Sequence, residues 1–456
     1  MTELELLSDA DHRARAYLDV VDSRRVFPEE SAVAALARFA EPLPARGLGG
    51  ESTLALLDEI GSPATVVSNG PAYYGFVIGA ALPAAAAIER LALAWDQCAS
   101  SALNSPVADA VEAVAARWVL EILDLPRESA VGFGTSATAC GLACLATARR
   151  ALLQRLGWNL DDDGLIGAPE IRVVLPATAH VTVRKALRIL GFGRRRMIEA
   201  PVDAHGRVRP DTLPPLDART ILCLQAGEVN TGEFDPFEPL IERARVARAW
   251  VHVDGAFGLW ARASADPDRL ALAAGVEGAD SWTTDGHKWL NTPYDGAMGI
   301  CRDATALSAA MNADAVYSTA SATSQKNLGL EFSRRARGLP IWGALRALGR
   351  DGVAELIDRH CRQAARLANG LKQAGFEVVN RVCLNQVLVR LPTDEATNAL
   401  REAAVATGEL WFGPTVWQGR AAFRMSLSSW RTTDRHVDDA VRLLTRLKRQ
   451  LDSRKA

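Results

Sequence analysis

The sequence lacks both a long apolar segment and an excess of charge. Its most apolar early stretch, residues 78–93, contains a proline and two charged residues and is too short to span a bilayer. The acidic beginning of the chain has no apolar core of the kind that a signal peptide requires. The formal net charge is −2, so neither nucleic acid nor an anionic membrane is attracted electrostatically. We therefore expect a cytoplasmic protein with neither as a partner.

Cysteine is also scarce. The seven cysteines are scattered over 456 residues, which does not suggest a disulfide framework and fits a reducing compartment. Cys140 and Cys144 are four residues apart, but no second pair accompanies them as a zinc site would require. Their spacing favours one apolar face of a helix, where a free cysteine behaves as a small hydrophobic residue. We expect no metal site.

Short apolar runs alternate with amphipathic helical stretches through the middle of the chain. Runs such as residues 171–175, 220–224 and 250–253 are apolar on both faces, as buried parallel strands are. Strands that alternate with helices indicate a mostly parallel sheet covered on both faces. The predicted domains are an amino-terminal helical arm over residues 1–50, a large domain over residues 51–338 and a small carboxyl-terminal α/β domain over residues 339–456.

Asp254 ends one of these apolar strands. Open α/β sheets bind ligands beyond the carboxyl ends of their strands, so this carboxylate is placed to meet one. It could hold a metal ion, act as a base or pair with a cationic ring nitrogen. Gly255 and Ala256 leave room for a flat ring against the backbone. A purely structural strand-end aspartate is the alternative.

Lys288 lies in a second motif, between His287 and Trp289 and before further apolar residues. Most lysines lie on the surface, but these neighbours favour a side chain that points into a site. A lysine in such surroundings can form a Schiff base with an aldehyde.

Two further motifs lie at turns between strands and helices. The segment from Phe133 to Ala139 is rich in small and hydroxyl residues, and helix N-termini of this kind bind phosphate. By itself the segment is equally a capped helix start. His180 lies between a strand and a helix, where an imidazole can stack on a flat cofactor and exchange protons near neutral pH.

The four motifs follow one another at successive strand ends of one predicted sheet. A phosphate cradle, a stacking imidazole, a carboxylate and a lysine are the contacts that pyridoxal 5′-phosphate (PLP) requires. The carboxylate keeps the pyridine nitrogen protonated, so that the ring can draw electrons from the substrate's α-carbon. We therefore predict PLP as the cofactor, with Lys288 on its aldehyde and Asp254 on its ring nitrogen.

In these segments the chain resembles the group II PLP-dependent amino-acid decarboxylases, relatives of the aromatic-L-amino-acid and glutamate decarboxylases. The resemblance implies an α/β fold of the aspartate aminotransferase type (fold type I), with a large, mostly parallel sheet domain and a smaller carboxyl-terminal α/β domain. It also implies a carboxy-lyase acting on an L-amino acid, and a homodimer with active sites at the subunit interface. The matching segments are GFGTSATACGLACLATARR, ATAHVTVRKAL, NTGEFDP, WVHVDGAFGLW, DSWTTDGHKWLN and RRARGLPIW.

The resemblance also implies a role for each matching residue. Lys288 would form the Schiff base, Asp254 would pair with the pyridinium nitrogen, and His180 would stack over the ring. Asp285 stands where several relatives have asparagine, which changes the local charge. The other cofactor contacts implied are Ala256 against the ring, Ala137 and Thr138 on the phosphate, His287 near the phosphate, and Asn230 in a nearby turn.

One departure from the family concerns the segment from residue 318 to residue 333. In the decarboxylases a mobile loop here carries a tyrosine that protonates the α-carbon after carbon dioxide leaves. This chain has no tyrosine or histidine in that segment, and Tyr317 stands at its root. Family members without the tyrosine resemble aldehyde synthases, so the alternatives are a decarboxylating aldehyde synthase, an aminotransferase or a lyase. An aminotransferase would clamp the α-carboxylate with an arginine, for which Arg424 is the candidate.

The substrate is less determined than the cofactor. Tyr73, Tyr74 and Phe76 match the region that lines the substrate pocket in relatives, and their rings suit a flat or apolar substrate side chain. Packing at an interface is the alternative for these aromatic residues.

A different class of function is a remote alternative. The chain could be a non-catalytic binding protein, or a metal hydrolase that uses His252, Asp254 and His287. A metal site would need three or four convergent ligands, and the positive charge of Lys288 next to His287 is unfavourable for it.

Overall fold

A computed structural model describes residues 1–312 and 323–453. Contacts within the chain divide it into two units. The domain boundaries predicted after residues 50 and 338 stay a prediction, because a grouping by contacts does not test where independently folding domains begin. The larger unit comprises Ala81–Ala365 and Asn380–Val387, and the smaller comprises Met1–Ala80, Arg366–Val379 and Leu388–Ala456.

Helices cover much of the chain, and most begin at a capping residue or a proline in the first turn. Their bounds are α1 (Glu3–Asp19), α2 (Glu30–Ala35), α3 (Gly50–Leu56), α4 (Pro83–Trp95), α5 (Pro106–Ile122), α6 (Ala137–Arg155), α7 (Leu160–Asp163), α8 (Val181–Ile189), α9 (Phe237–Ala247), α10 (Pro267–Leu272), α11 (Ala304–Met311), α12 (Gly338–Gln373), α13 (Asp394–Thr407) and α14 (Asp434–Ser453).

The strands form two sheets. Their bounds are β1 (Ala130–Gly134), β2 (Arg172–Pro176), β3 (Met197–Ala200), β4 (Thr220–Gln225), β5 (Trp250–Asp254), β6 (Ser281–Asp285), β7 (Ala297–Cys301), β8 (Glu377–Val378), β9 (Gln386–Arg390), β10 (Gly413–Trp417) and β11 (Arg420–Ser426).

The sheet of the larger unit is mostly parallel, and the predicted fold class is confirmed. Its seven strands run in the order β1-β7-β6-β5-β4-β2-β3, and β7 is antiparallel to both of its neighbours. Every residue of β4 is buried, as the apolar pattern on both faces predicts. The carboxyl ends of β1, β2, β4, β5 and β6 therefore lie along one edge of the sheet, where α/β proteins bind their ligands.

One core cluster of the larger unit joins helices to this sheet. Leu145 and Leu152 of α6 pack with Val173 of β2 and Ile221 of β4, and all four are at most 1% exposed. Cys140 and Cys144 are buried on α6, as their spacing predicts. This packing fixes the position of α6, whose amino-terminal end reaches the carboxyl edge of the sheet.

The second sheet has the strand order β10-β11-β9-β8, and β10 pairs antiparallel with β11. In the smaller unit, α13 packs on β11 and on α14. The long helix α12 contains a kink at Gly349, whose φ of 63° and ψ of −178° favour glycine.

Within residues 1–312 and 323–453, no helix is both long enough and apolar enough to cross a membrane.

Candidate active site

Asp254 and Asp285 are the last residues of the neighbouring strands β5 and β6. Asp254 is in register with Gln225 of β4 on one side. Its Oδ1 accepts a hydrogen bond from the backbone N–H of Ala256 at 3.2 Å. The N–H of Asp285 donates to the carbonyl oxygen of Ala256 at 2.9 Å. Two carboxylates thus lie at the ends of adjoining strands, on the edge of the sheet where the sequence predicts a ligand.

Lys288 is held in a tight turn directly after β6. Its Nζ lies 2.9 Å from Oδ2 of Asp285, and its side chain is 23% exposed. The next residue, Trp289, is fully buried and donates from Nε1 to Nδ1 of His360 at 3.0 Å. The buried indole anchors the turn, and the contact with Asp285 holds the lysine amine at the end of β6.

The amino-terminal end of α6 meets the carboxylate of Asp285. The N–H of Ala137 donates to Asp285 Oδ1 at 2.6 Å, and Ser136 caps the helix by accepting from the N–H of Ala139 at 3.3 Å. An anionic oxygen therefore already lies where the predicted phosphate cradle would hold one. Ala137 and Thr138 stand at the first turn of the helix, so this end of the site fits the phosphate of PLP.

His287 lies against the same carboxylate. Its Nδ1 accepts from the N–H of Gly296 at 3.1 Å, so the proton of the neutral ring is on Nε2, which lies 3.7 Å from Asp285 Oδ1. Burial lowers the pKa of His287, and the charge of Asp285 acts in the opposite direction. We infer that the neutral imidazole faces the phosphate end of the site.

Tyr294 adds an aromatic ring beside the candidate site, and the sequence had not indicated it. Its ring stacks on His287 with a centroid separation of 4.3 Å. Tyr294 is 56% exposed as a whole residue, but partial burial of its phenol and the charge of Asp285 raise its pKa. The phenol therefore keeps its proton at neutral pH. Only an aromatic residue six positions after Lys288 could have indicated it.

His180 lies at the carboxyl end of β2, as predicted, and forms the N-cap of α8. Its Nδ1 is 2.6 Å from Oγ1 of Thr182, which fixes the ring orientation. Nearby, Nε2 of Gln225 donates to Oγ1 of Thr178 at 3.1 Å and so links the ends of β4 and β2. Thr178 and Gln225 were not indicated by the sequence, because their residue types alone carry no signal.

Asn230 lies in the turn after β4. Its side-chain Nδ2 donates to Oε1 of Glu228 at 3.2 Å, and its backbone N–H donates to Oε2 at 2.8 Å. Burial raises the pKa of Glu228. These bonds hold the turn, and a contact between Asn230 and the cofactor stays a prediction.

His252 lies two residues before Asp254 on β5, but its surroundings are those of a structural residue. Its Nδ1 is 2.9 Å from Oγ of Ser281, and burial lowers its pKa to about 4. Residues 1–312 and 323–453 contain no group of three or more histidine, cysteine, aspartate or glutamate side chains placed to hold a metal ion. The geometry therefore gives no support to His252, Asp254 and His287 as a ligand set.

The predicted substrate residues belong to the smaller unit. Tyr73 stacks on Trp411 with a centroid separation of 4.9 Å, and Tyr74 is buried with its hydroxyl donating to the carbonyl oxygen of His436 at 3.3 Å. Phe76 is 56% exposed and has a positive φ of 53°. Arg424 lies on β11. Substrate contact stays a prediction for all four residues.

The family's proton-donating loop falls largely on residues that the structure leaves out. Tyr317 and the greater part of the Ala/Ser/Thr-rich segment 318–325 lie outside the described residues. The chain is described again from Thr323, and Gln325 is hydrogen-bonded to β1 through the N–H of Phe133 and the carbonyl oxygen of Val131, both at 3.0 Å.

Comparison with known proteins adds independent findings. The family model of the pyridoxal-dependent decarboxylase conserved domain matches residues 70–392. The chain is 28% identical over 446 residues to the L-2,4-diaminobutyrate decarboxylase of Rhizobium meliloti (strain 1021), covering 91% of this chain and 86% of that protein. It is 26% identical over 374 residues to the phenylacetaldehyde synthase of Arabidopsis thaliana, covering 75% of this chain and 74% of that protein.

The fold is likewise similar to solved structures. The crystal structure of Oryza sativa TDC with PLP and tryptamine superposes with a TM-score of 0.89 at 24% identity, and the match covers 98% of this chain and 97% of that chain.

Proposed function

The chain belongs to the pyridoxal-dependent decarboxylase family, and from this we propose that Lys288 and Asp254 are the residues that hold and activate its cofactor. It is an enzyme that uses PLP to remove the carboxyl group of an amino acid. PLP supplies a protonated pyridine ring that draws electrons from the substrate's α-carbon. The protein's task is to hold that ring and to control where protons go.

The observation that carries the proposal is the meeting of the two strand ends. Lys288 Nζ lies beside Asp285 at the end of β6, and Asp254 ends the adjacent strand β5. An amine in the turn after β6 and a carboxylate at the end of the adjacent strand β5 suit the two edges of one pyridine ring. We assign the bond to the cofactor's aldehyde carbon to Lys288 and the contact with its ring nitrogen to Asp254.

We propose the remaining cofactor contacts from the places of the residues in the fold. His180 would stack on one face of the ring and Ala256 would pack on the other. The amino-terminal end of α6 would bind the phosphate with Ala137, Thr138 and His287, and Asn230 and Asp285 would complete the surroundings. We assign catalytic roles to Lys288, His180 and Asp254.

The direct test combines product analysis with labelling of Lys288. A panel of L-amino acids is incubated with the enzyme, and carbon dioxide and amine are measured together. Borohydride treatment of the enzyme with PLP should attach the cofactor to residue 288, as read from the mass of its tryptic peptide. In Lys288→Ala we expect neither label nor product, because no other amine is held at the aldehyde. The matched control Lys185→Ala removes an exposed lysine of α8 and should keep both.

A second candidate reaction is a decarboxylating aldehyde synthase. It is favoured by the missing tyrosine in residues 318–333 and by the similarity to the phenylacetaldehyde synthase of Arabidopsis thaliana. In that reaction the amino acid, dioxygen and water give an aldehyde, carbon dioxide, ammonia and hydrogen peroxide. Aldehyde and peroxide in equal amounts, in place of amine, would establish it in the same assay; a 2-oxo acid without carbon dioxide would instead indicate an aminotransferase.

For the substrate we propose an L-amino acid with a flat or apolar side chain. Support comes from the aromatic set Tyr73, Tyr74 and Phe76, with Arg424 as a further candidate for the α-carboxylate. Among these residues Phe76 has a largely exposed ring. Preference for a diamino acid over every aromatic amino acid in the panel would contradict this proposal.

We also propose that the protein is a cytoplasmic homodimer. Most of the exposed large apolar side chains of the described residues lie between Met1 and Val107. Leu93, Trp95 and Val107 are 60%, 41% and 40% exposed and line one groove beside α4. Exposed apolar side chains of this kind suit the burial that a second subunit would provide. The cysteines are free, which fits a reducing compartment.

A further inference from the structure

Asp285 accepts a hydrogen bond from the amino-terminal end of α6, where the cofactor's phosphate is expected to bind. Its side chain is 3% exposed, and its two oxygens have different partners. Oδ1 accepts from the first N–H of α6 at 2.6 Å, and Oδ2 lies 2.9 Å from Nζ of Lys288. The carboxylate thus binds both the helix N-terminus and the reactive amine.

A phosphate would use the same donors. The free N–H groups at a helix N-terminus, together with the helix dipole, stabilise a nearby anion. Once the carboxylate of Asp285 accepts the N–H of Ala137, a phosphate oxygen must either displace it or lie next to it. Two anions close together in a buried site repel each other more strongly than in water. Asparagine at this position would keep an oxygen acceptor and remove the charge.

We propose that Asp285 is an internal competitor of the PLP phosphate for the amino-terminal end of α6, and that it thereby sets the affinity of the chain for its cofactor. The inference rests on the proposed function. In the cofactor-free chain, Asp285 satisfies Ala137 and Lys288, which keeps the site folded. Cofactor binding replaces it at both partners, so the phosphate contributes less to affinity than the cradle alone would allow.

The test separates the phosphate from the rest of the cofactor. Dissociation constants for PLP and for pyridoxal, which lacks the phosphate, are measured on cofactor-free wild type and on Asp285→Asn by the visible absorbance of the bound aldehyde. The loss of the Asp285–Lys288 ion pair affects both ligands alike and cancels in the ratio of the two constants. The double cycle therefore isolates the interaction between the Asp285 side chain and the phosphate.

We expect the preference for PLP over pyridoxal to be at least tenfold larger in Asp285→Asn than in wild type, which corresponds to about 1.4 kcal/mol. The matched control is Asp303→Asn, which removes a carboxylate that caps α11 by accepting from the N–H of Ala306 at 2.9 Å. In Asp303→Asn, the preference for PLP over pyridoxal should stay at the wild-type value. An equal or smaller ratio in Asp285→Asn overturns the inference, because Asp285 would then be neutral toward the phosphate or assist its binding.

A measurement on the wild type keeps the inference testable if Asp285→Asn does not fold. Millimolar inorganic phosphate should leave the melting temperature of the cofactor-free wild type nearly unchanged, since Asp285 already occupies the helix N-terminus. A rise of several degrees would overturn the inference. If the proposed function itself is wrong, the result is different, because neither PLP nor pyridoxal would then become attached at Lys288.

Discussion

At the scale of single residues, ionisable groups in and near the seven-stranded sheet differ in role: some are proposed to hold the cofactor, and one supports the structure. Asp254 and Lys288 are the residues proposed to hold the cofactor, whereas His252 lies only two residues before Asp254 and is fully buried. The hydrogen bond between His252 Nδ1 and Ser281 Oγ links β5 to β6 before the carboxyl ends of these strands. A buried neutral imidazole supports the strand ends, and it makes their stability depend on pH.

His252 should make the protein sensitive to mild acid. Burial lowers its pKa from 6.5 to about 4, so between these values the native chain binds fewer protons at this ring than the unfolded chain does. The free energy of unfolding therefore rises with pH across that window. As the pH falls from 6.5 to about 4, the protein loses on the order of 3 kcal/mol of stability in total. Urea unfolding at pH 4.5 and 7 of wild type and His252→Asn, which keeps a polar partner for Ser281, measures the effect.

We expect the wild type to lose more stability than His252→Asn between the two pH values. The control His12→Asn replaces an exposed histidine of α1 and should follow the wild type. Parallel pH profiles for wild type and His252→Asn would show that the ring is not held neutral.

At the scale of elements, a buried ion pair fixes the beginning of α12. Glu112 of α5 and Arg334 form two hydrogen bonds of 2.7 Å, and both side chains are 1% exposed. Glu112 Oε1 also accepts from the N–H of Gly338 at 2.9 Å, and Arg334 donates to the carbonyl oxygen of Ala99 at 2.8 Å. The pair thus connects α5 to the chain that follows residue 323 and leads into α12.

Removing the charge of Glu112 should destabilise the fold strongly. Glu112→Gln leaves the charge of Arg334 buried without an anionic partner, which typically costs about 3–5 kcal/mol. Denaturant unfolding measures the loss, and Glu242→Gln is the control because its pair with Arg245 on α9 is exposed and contributes at most about 1 kcal/mol. A loss as small as that of the control would mean that water reaches the guanidinium.

At the scale of the whole molecule, the first hundred residues differ from the rest. They carry exposed leucine, valine and aromatic side chains on helices and in the segments between them, whereas the strands of the larger sheet are mostly buried. An apolar surface of this kind costs free energy when it remains in water. A second copy of the chain is the partner that we propose for it.

The groove beside α4 provides a test of the proposed dimer. Leu93→Glu replaces an exposed apolar side chain of this groove with a carboxylate next to Trp95 and Val107. We therefore expect the dimer to dissociate into monomers, as measured by analytical ultracentrifugation at micromolar concentration. Val246→Glu is the control, since it introduces the same charge at a 73% exposed position of α9. A wild-type monomer, or a Leu93→Glu dimer as stable as the wild type, would refute the assignment of this surface.

The sequence by itself determined the features that depend on local pattern. Apolar runs of a few residues indicated β2, β4 and β5, because periodicity is a local property of the sequence. The roles of Asp254, His180 and Lys288 were predicted in the same way from their places after apolar runs, and they stay predictions. β3 was missed, since its four residues follow three arginines and include a polar residue. The resemblance to a family then supplied the fold class and the reaction, which the family match bears out.

Only the tertiary structure decided which distant residues meet. Ala137 and Asp285 are 148 positions apart, and Glu112 and Arg334 are 222 apart; nothing in either local segment specifies its partner. The stacking of Tyr294 on His287 likewise depends on how the turn after β6 closes. Such contacts arise when the strands take their order in the sheet and α6 packs against it, and that order is a property of the whole core rather than of any stretch of sequence.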